Sequence, residues 1–193
     1  HENGKFFLYR SQVNLIRILQ DSFNQVQFIA REKRIHLNME SCSDDITLNA
    51  DLNRLIRTWV NLLDNAIKYS PEGSIVRVAC LLFRGSDREA VQTIVPKPKR
   101  DQCRNDRQYV LITISDQGLG IPREYHERVF DNLFTINSRN LPGRKGVGLG
   151  LAFCRQVVEA HEGLIWLESP ITTDRSGTPR GCRFYVALPV ATH

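Results

Sequence analysis

The sequence predicts an α+β protein, a two-layer sandwich in which three helices cover one face of a mixed five-stranded sheet. Two observations indicate this fold class. Three stretches carry apolar residues at helical spacing, and shorter stretches of alternating or continuous apolar character lie between them. The chain also has 193 residues, of which 41% are hydrophobic, so it is long enough to bury one core.

The expected elements follow one another along the chain. Residues 6–9 are expected to form a short strand, and Asn14 is expected to cap a first helix with an apolar stripe. Asp51 is expected to cap the second helix, and the third helix is expected over residues 149–159. The other strands are expected at residues 35–39, 46–49, 75–83, 109–115, 164–168 and 183–188.

Residues 84–108 interrupt the strand pattern between two segments that should be neighbours in the sheet. The stretch contains Pro96, Pro98 and the basic run 97–100. A compact domain seldom carries so long a connection without structure of its own. We expect either a solvated, flexible hairpin extension or a docking arm for an acidic partner surface.

The second expected helix carries four polar side chains on one face. Asn61, Asn65, Lys68 and Tyr69 lie at i, i+4, i+7 and i+8. Carboxamide oxygens can ligate Mg²⁺, a lysine can bind phosphate, and an aromatic ring can cover a base. An amphipathic helix with a solvated face has the same pattern, so this helix alone leaves both interpretations open.

A glycine-containing segment follows the expected strand 109–115. Asp116 comes directly after the strand, with Gly118 and Gly120 at alternate positions. A carboxylate at a strand end followed by glycines fits an acceptor for an exocyclic amine, with the backbone close to the ligand. Asp-x-Gly-x-Gly is also a common turn, so this segment alone leaves both interpretations open.

A second glycine-rich segment precedes the third expected helix. Gly146, Gly148 and Gly150 expose backbone N–H groups where the helix begins, which favours phosphate oxygens. Arg144 and Lys145 add positive charge beside them. The segment is neither a P-loop nor a dinucleotide fingerprint, because its glycine order differs and no hydrophobic strand precedes it.

In their order and spacing, these segments resemble the catalytic and ATP-binding domain of sensor histidine kinases. That family belongs to the superfamily of gyrase, heat-shock chaperone and mismatch-repair ATPases. Residues 61–69 resemble its N box, residues 116–121 its first glycine box and residues 146–151 its second. Residues 130–134 resemble the F box, and residues 181–184 resemble the last glycine-containing segment. The resemblance covers nearly the whole chain and implies the Bergerat-type ATP-binding fold.

The resemblance also implies a domain organisation. Residues 1–12 would be the end of a linker from a dimerisation and phosphoacceptor domain, and residues 13–193 would be the ATP-binding catalytic domain. Relative to the family, residues 84–108 look like an inserted loop. Residues 131–147 are polar and rich in helix breakers, and they look like a lid that closes over nucleotide.

The resemblance assigns a role to each matching residue. Asn65 would ligate Mg²⁺, and Asn61 would contribute to the same phosphate and metal environment. Lys68 would bind phosphate, and Tyr69 would pack along the adenine. Asp116 would accept a hydrogen bond from the adenine amino group.

Backbone and nearby residues would complete this site. The expected catalytic group is Asn61, Lys68, Arg144 and Lys145. The remaining expected ATP contacts are Gly118, Gly120, Ile121, Gly146, Val147, Gly148, Leu149, Gly150 and Cys182.

Position 61 bears on how ATP would be used. In the hydrolysing members of the superfamily, a glutamate at this place acts as base toward water. Asn61 has no basic carboxylate, and Asp64 projects about 100° away from Asn65 on the helix. We therefore expect slow hydrolysis, with the γ-phosphate kept for a protein nucleophile.

Three positions depart from the family pattern, and the first is Leu133, which stands where the family often has phenylalanine. Thr135 stands where the family often has arginine, so a neighbouring cation would take over that task. Cys182 replaces the usual threonine or serine, and because a thiol is a weaker hydrogen-bond partner, we expect reduced nucleotide affinity. Phe130, Leu133 and Phe134 are expected to anchor the start of the lid against the core, with Phe130 acting as a packing residue.

The phosphate-accepting histidine is not expected in this chain. His1 and Glu2 imitate the start of the phosphoacceptor motif, but Asn3 and Gly4 break the helix that the motif requires. The acceptor helix is therefore expected to precede His1. His161 lies in a turn before a strand and is expected to be structural.

Charge and cysteine content bound the remaining possibilities. The net charge of +5 suits a nucleotide site without requiring nucleic acid. Five scattered cysteines, with no Cys-x-x-Cys pair, predict reduced thiols in a cytoplasmic protein rather than a disulfide or zinc framework. No apolar run approaches the ~20 residues needed to cross a bilayer, and we expect no signal peptide at residue 1.

The sequence thus predicts the catalytic domain of a two-component sensor histidine kinase that uses ATP and Mg²⁺. It would phosphorylate a histidine on a dimerisation domain of the same kinase, for onward transfer to a response-regulator aspartate. No nucleic acid or membrane contact is expected. The isolated domain is expected to be monomeric and the full-length kinase dimeric. The alternatives are a serine kinase of the anti-sigma-factor type and a nucleotide-binding sensor module without transfer activity.

Overall fold

A mixed sheet of five strands forms the centre of the molecule. The computed structural model describes residues 7–40, 42, 45–134, 148–173 and 176–191. The strands are β1 (Ser11–Asn14), β2 (His36–Met39), β3 (Thr47–Ala50), β4 (Ile75–Arg84), β5 (Gln108–Ser115), β6 (Leu164–Glu168), β7 (Thr172–Thr173), β8 (Pro179–Arg180) and β9 (Arg183–Pro189). The helices are α1 (Leu15–Glu32), α2 (Leu52–Tyr69), α3 (Arg88–Ile94) and α4 (Gly150–Ala160), with 3₁₀ turns at Lys97–Gln102, Arg123–Tyr125 and Arg128–Phe130.

The central sheet has the strand order β2-β4-β5-β9-β6. β2 runs parallel to β4, and the other neighbours are antiparallel, so the sheet is mixed as predicted. Two small antiparallel pairs, β1 with β3 and β7 with β8, lie outside it. The side chains of β5 alternate between two packed faces. Val110, Ile112 and Ile114 face one core cluster, and Tyr109 and Leu111 face another.

Helices α1, α2 and α4 cover the first face, which confirms the predicted two-layer sandwich. Their buried residues join those of the sheet in one hydrophobic cluster. Both predicted N-caps are present: the Asn14 side chain accepts from the Arg17 amide, and the Asp51 side chain accepts from the Arg54 amide at 3.1 Å. These short-range hydrogen bonds fix where α1 and α2 begin.

The first strand lies further along the chain than predicted. β1 pairs with β3 from Ser11 onward, opposite Ala50. Phe6 lies outside the described residues, and residues 7–10 are not in a strand. The amide of Tyr9 donates to the Asp51 carboxylate at 3.0 Å, so this part of the backbone is bonded to a side chain instead of a neighbouring strand.

The expectation of a flexible extension at residues 84–108 is wrong. The segment contains α3, which is capped by the Asp87 side chain, and a 3₁₀ turn. Val91, Val95 and Cys103 are buried against the second face of the sheet. This second cluster also contains Phe83, Tyr109, Leu111, Leu164, Trp166 and Ala187. The segment folds because it brings its own apolar residues to a part of the sheet that the other helices leave uncovered.

The expectation that all five cysteines are reduced is also wrong. Cys42 and Cys80 form a disulfide with a Cα–Cα distance of 5.2 Å, while Cys103, Cys154 and Cys182 are free and buried. The pairing follows from sheet topology, because β2 and β4 are neighbours and Cys42 follows β2. Sequence spacing could not reveal it, since 38 residues separate the two cysteines.

No helix in the described part of the chain is long and apolar enough to span a membrane.

Candidate functional site

Helix α2 presents the polar face that the sequence predicts. Asn61, Asn65 and Lys68 are half-buried, and Tyr69 is 39% exposed. The opposite face is fully packed, with Leu62, Leu63, Ala66 and Ile67 each at most 1% exposed. The four polar groups therefore lie at the accessible side of a helix whose position is fixed by the core.

Asp116 lies at the end of β5 and is bonded to the start of β9. Its Oδ1 accepts hydrogen bonds from the Gly118 amide at 2.8 Å and the Cys182 amide at 3.2 Å. Its own amide donates to the Cys182 carbonyl at 2.8 Å. This arrangement leaves Oδ2 as the oxygen that can accept from a ligand.

The Asp116 carboxyl is 5% exposed, and this burial raises its pKa to about 6. The two backbone N–H groups act in the opposite direction because they stabilise the ionised form. A buried carboxyl with one oxygen fixed by the backbone is well suited to recognise a hydrogen-bond donor.

Gly118 joins this carboxyl to the end of α2. A Cβ at Gly118 would lie 2.8 Å from the Tyr69 carbonyl oxygen and 2.9 Å from Asp116 Oδ1. Both contacts are too short for a side chain, so only glycine lets the segment pass between α2 and Asp116. The Gly118 carbonyl also accepts from the Gly181 amide at 2.7 Å, which ties in the last glycine-containing segment.

A buried serine, which sequence reasoning missed, fixes the rest of this turn. Ser169 Oγ accepts from the Ile121 amide at 2.7 Å and donates to the Gly181 carbonyl at 2.9 Å. Gly120 has φ +78°, and a Cβ there would lie 2.9 Å from Ser169 Oγ. No local pattern around Ser169 signals this role, because its partners are 48 and 12 residues away.

The start of α4 lies against Asn61. Gly150 is the first residue of α4, and a Cβ there would lie 3.7 Å from Asn61 Cγ. Gly148 has φ +71° and accepts from the Leu133 amide at 3.0 Å. The described part of the second glycine segment is therefore next to the polar face of α2.

Cys154, one turn further along α4, packs against α2. The thiol is fully buried and donates to the Thr58 carbonyl at 3.6 Å, one turn before Asn61 on that helix. Burial raises the pKa of the Cys154 thiol to about 12, so it is a neutral donor. This residue was absent from the sequence expectations, which placed no site residue in α4 beyond Gly150.

Several expected site residues lie outside the described part of the chain. These are Arg144, Lys145, Gly146 and Val147, together with most of the expected lid. Leu149 is described and is 49% exposed, whereas Cys182 is 4% exposed. The pKa of the Cys182 thiol is raised, first by burial and then by the nearby Asp116 carboxyl.

The three aromatic and aliphatic residues expected to anchor the lid behave differently. Phe130 is 5% exposed and packs edge-on against Phe184, with ring centroids 6.2 Å apart, which confirms its packing role. Phe134 lies beneath the Arg128 guanidinium at 4.7 Å. Leu133 is 69% exposed, so the expectation that it anchors the lid to the core is wrong.

His161 is structural, as expected. It is 3% exposed; its Nε2 accepts from the Asp51 amide at 2.9 Å and its Nδ1 donates to the Val157 carbonyl at 2.7 Å. Burial is the main reason its pKa is lowered. Both ring nitrogens are thus used to hold the start of α2 against the end of α4.

Comparison with known proteins establishes the family. Residues 50–192 match the family described as histidine kinase-, DNA gyrase B- and HSP90-like ATPases, and the chain belongs to this family. ATP is therefore the ligand class that the domain binds.

Two curated relatives are named as kinases. The adaptive-response sensory kinase SasA of Synechococcus elongatus is 33% identical over 90% of this chain. Histidine kinase P4 of Formosa agariphila is 28% identical over 98% of this chain. The chain spans only 37% and 12% of these two relatives, so it corresponds to one part of each.

Solved structures agree with the fold. The mycobacterial sensor histidine kinase MprB is 26% identical with a TM-score of 0.66, over 95% of this chain and 99% of that one. Full-length ShkA in complex with AMPPNP has a TM-score of 0.71 at 21% identity, over 97% of this chain and 32% of that one. The fold is thus that of the histidine kinase ATP-binding domains.

Proposed function

We propose that this chain is the ATP-binding catalytic domain of a two-component sensor histidine kinase. The observation that carries the proposal is the convergence of three elements on one site. The buried Asp116 carboxyl, the polar face of α2 and the glycine start of α4 lie together in a chain whose relatives are named sensor kinases.

The adenine would bind at Asp116. Oδ2 would accept from the exocyclic amine, because Oδ1 is already used by the Gly118 and Cys182 amides. Gly118 and Gly120 carry no side chain to obstruct the base, and the ring of Tyr69 is exposed enough to pack along it. Ile121, Leu149 and Cys182 complete the expected lining.

The phosphates would bind along α2 toward the start of α4. Lys68 supplies a cation, and Asn61 supplies a carboxamide close to Gly150. The backbone of Gly148 and Gly150 would approach the phosphates. From the sequence, Arg144, Lys145, Gly146 and Val147 would complete this cradle.

Asn65 would hold Mg²⁺. The described residues contain no cluster of three or more His, Cys, Asp or Glu side chains that could hold a metal. A single carboxamide nevertheless fits this ion, because Mg²⁺ in nucleotide sites is bound mainly by phosphate oxygens and water, with few protein ligands. When bound, the ion would neutralise negative charge on the phosphates.

The protein would act on the γ-phosphoryl group by positioning and charge neutralisation. Lys68 would bind the phosphates. Asn61 would direct its own carboxamide toward them without acting as a base. Because Asn61 cannot take a proton from water at neutral pH, hydrolysis would be slow. The phosphoryl group would therefore remain available for a protein nucleophile.

The proposed acceptor is a histidine on the dimerisation domain of the same kinase, followed by a response-regulator aspartate. His161 is unsuited to this role because it is buried and both its nitrogens are bonded. Histidine kinase ThkA, which shares this fold at 21% identity, has been solved in complex with response regulator TrrA, and we propose by analogy a response regulator as the second partner of this chain.

The proposed organisation follows the sequence expectations. Residues 13–193 would be the catalytic domain, residues 1–12 the end of a linker, and residues 131–147 a lid. The insertion 84–108 would be an additional folded part of the domain. We further propose a cytoplasmic domain that is monomeric alone and dimeric in the full-length kinase, with no nucleic-acid or membrane contact. The location rests on the proposed kinase function, because the Cys42–Cys80 disulfide removes the argument from reduced thiols.

Phosphoryl transfer to a separately produced dimerisation domain tests this function. With γ-labelled ATP, the proposal expects acid-labile label on that domain, as phosphohistidine. Acid-stable label on a serine substrate would favour the anti-sigma-factor type of kinase. ATP binding without any transfer would favour a nucleotide-binding sensor module, and either result would contradict the proposal.

A further inference from the structure

Lys33 reaches from the end of α1 to the end of α2. Its Nζ lies 2.6 Å from the Ile67 carbonyl oxygen, 2.7 Å from that of Lys68 and 2.7 Å from that of Ser70. Three carbonyl oxygens from the last turn of α2 and its C-cap thus bind a single ammonium group. Lys33 is itself the C-cap of α1, and its backbone amide donates to the carbonyls of that helix.

The Lys33 ammonium group is well suited to the carbonyl end of α2. The last carbonyls of a helix have no amide partner within it, and the helix dipole places partial negative charge there. An ammonium group has three donors and can satisfy three such oxygens at once. Ser70 is the C-cap of α2 and has an extended backbone with φ −77° and ψ 147°, so the chain leaves the helix where Lys33 binds.

The end of α2 that Lys33 binds is also part of the candidate site. Lys68 and Tyr69 are the last two residues of α2, and both are expected ligand contacts. The Tyr69 carbonyl lies against Gly118, where a Cβ would be 2.8 Å away. A shift of this helix end would therefore move Lys68 and Tyr69 and disturb the glycine turn that follows Asp116.

We propose that Lys33 is a positioning residue for the nucleotide site. It contacts no ligand; it fixes the end of α2 so that Lys68 and Tyr69 face the phosphates and the base. The inference rests on the proposed function, since it assumes that nucleotide binds at this end of α2.

Chemical rescue tests the proposal. Lys33→Ala removes the side chain beyond Cβ, and propylammonium has the size and charge of the missing fragment. We expect the dissociation constant for ADP to rise about tenfold in the variant, since charge-assisted hydrogen bonds are lost. Propylammonium at millimolar concentration should restore most of the affinity, whereas tetramethylammonium, which has no N–H donor, should not.

Two further variants separate positioning from general stability. Lys33→Met keeps the aliphatic chain, so it should fold, lose the same affinity and show no rescue because the space is filled. Arg31→Ala is the matched control, because Arg31 is an exposed cation in the last turn of the same helix. It should bind ADP like the wild type and be insensitive to propylammonium.

The kinetic signature is a rise in KM for ATP with a much smaller change in kcat for transfer to the acceptor domain. Unchanged ADP affinity in folded Lys33→Met, or equal effects of propylammonium and tetramethylammonium on Lys33→Ala, would overturn the proposal. A wild-type protein that does not bind ADP would instead overturn the proposed function, so the two failures are distinguishable.

Discussion

The Cys182 amide donates to Asp116 Oδ1 at 3.2 Å, while the Asp116 amide donates to the Cys182 carbonyl at 2.8 Å. This reciprocal pair joins the end of β5 to the start of β9 and orients the buried carboxyl. One oxygen of Asp116 is thereby committed to the backbone, and the other is directed to the ligand that we propose. Several measurable properties of the site depend on this arrangement.

Replacing Cys182 with a hydroxyl residue should tighten ATP binding. A hydroxyl is a stronger hydrogen-bond partner than a thiol, so it can better support a water beside the adenine. We expect Cys182→Thr to lower the dissociation constant for ATP about threefold to tenfold, as measured by calorimetry. Cys182→Ser, which replaces the sulfur by oxygen without adding an atom, controls for the added methyl group of threonine. Unchanged affinity in both variants would refute the idea.

The raised pKa of Asp116 makes nucleotide affinity dependent on pH. The carboxyl titrates at about 6 in the folded protein, well above its ordinary value of 3.8, and binding to the adenine amine favours the ionised form. ADP affinity should therefore rise with pH up to about 6 and then level off. ADP affinity is measured against pH for wild type and for Asp116→Asn, because titration of the nucleotide itself affects both proteins equally. If the affinity of both proteins changed with pH in the same way, the prediction would be contradicted.

The Asp116 carboxyl also makes the free energy of unfolding depend on pH, in the direction opposite to its effect on ADP affinity. Between pH 3.8 and about 6 the folded protein holds a proton on Asp116 that the unfolded chain has released. The contribution of Asp116 to the free energy of unfolding should therefore fall as pH rises through this range and stay constant above it. Comparing urea unfolding of wild type and Asp116→Asn at pH 4 and pH 7 measures the change.

Gly118 should not tolerate a side chain. The Cβ of Gly118→Ala would press on the Tyr69 carbonyl and on Asp116 Oδ1, at 2.8 and 2.9 Å. We expect at least about tenfold weaker ADP binding and a loss of about 1–3 kcal/mol in the free energy of unfolding. Gly73→Ala is the control, because Gly73 has φ +77° but open space around it, so only backbone strain is expected and ADP affinity should be unchanged.

The insertion should affect stability rather than nucleotide binding. Val95 is 1% exposed in the cluster between residues 84–108 and the sheet, far along the strands from Asp116. Val95→Ala should lower the free energy of unfolding by about 1–2 kcal/mol and leave ADP affinity intact. Thr93→Ala, at an exposed position of α3, should change neither the free energy of unfolding nor the ADP affinity. A marked loss of ADP affinity in Val95→Ala would contradict the prediction and link the insertion to the site.

The sequence predicts best the features that depend on near neighbours. The polar face of α2 follows from helical spacing, and the caps at Asn14 and Asp51 depend on amides three residues away. The acceptor position of Asp116 follows from a strand end and two glycines. For these features, the local pattern and the three-dimensional arrangement agree.

The features that the sequence did not predict depend on contacts between distant segments. Lys33 meets carbonyls 34 to 37 residues away, and the partners of Ser169 and Cys80 are also remote in the chain. The packing of the insertion depends on which part of the sheet remains uncovered after the three main helices are placed. None of these contacts leaves a periodic signal in the sequence.

Base selectivity in Asp116→Asn tests the central claim most directly. Asn can keep both backbone hydrogen bonds through its carbonyl oxygen, but it places an amide NH₂ where the adenine amine would need an acceptor. Dissociation constants are measured for ADP and IDP with wild type and variant. The account predicts that the wild type prefers ADP and that the variant binds ADP about tenfold to a hundredfold more weakly, with the preference lost or reversed toward IDP. A folded Asp116→Asn that binds ADP as tightly as the wild type would contradict it.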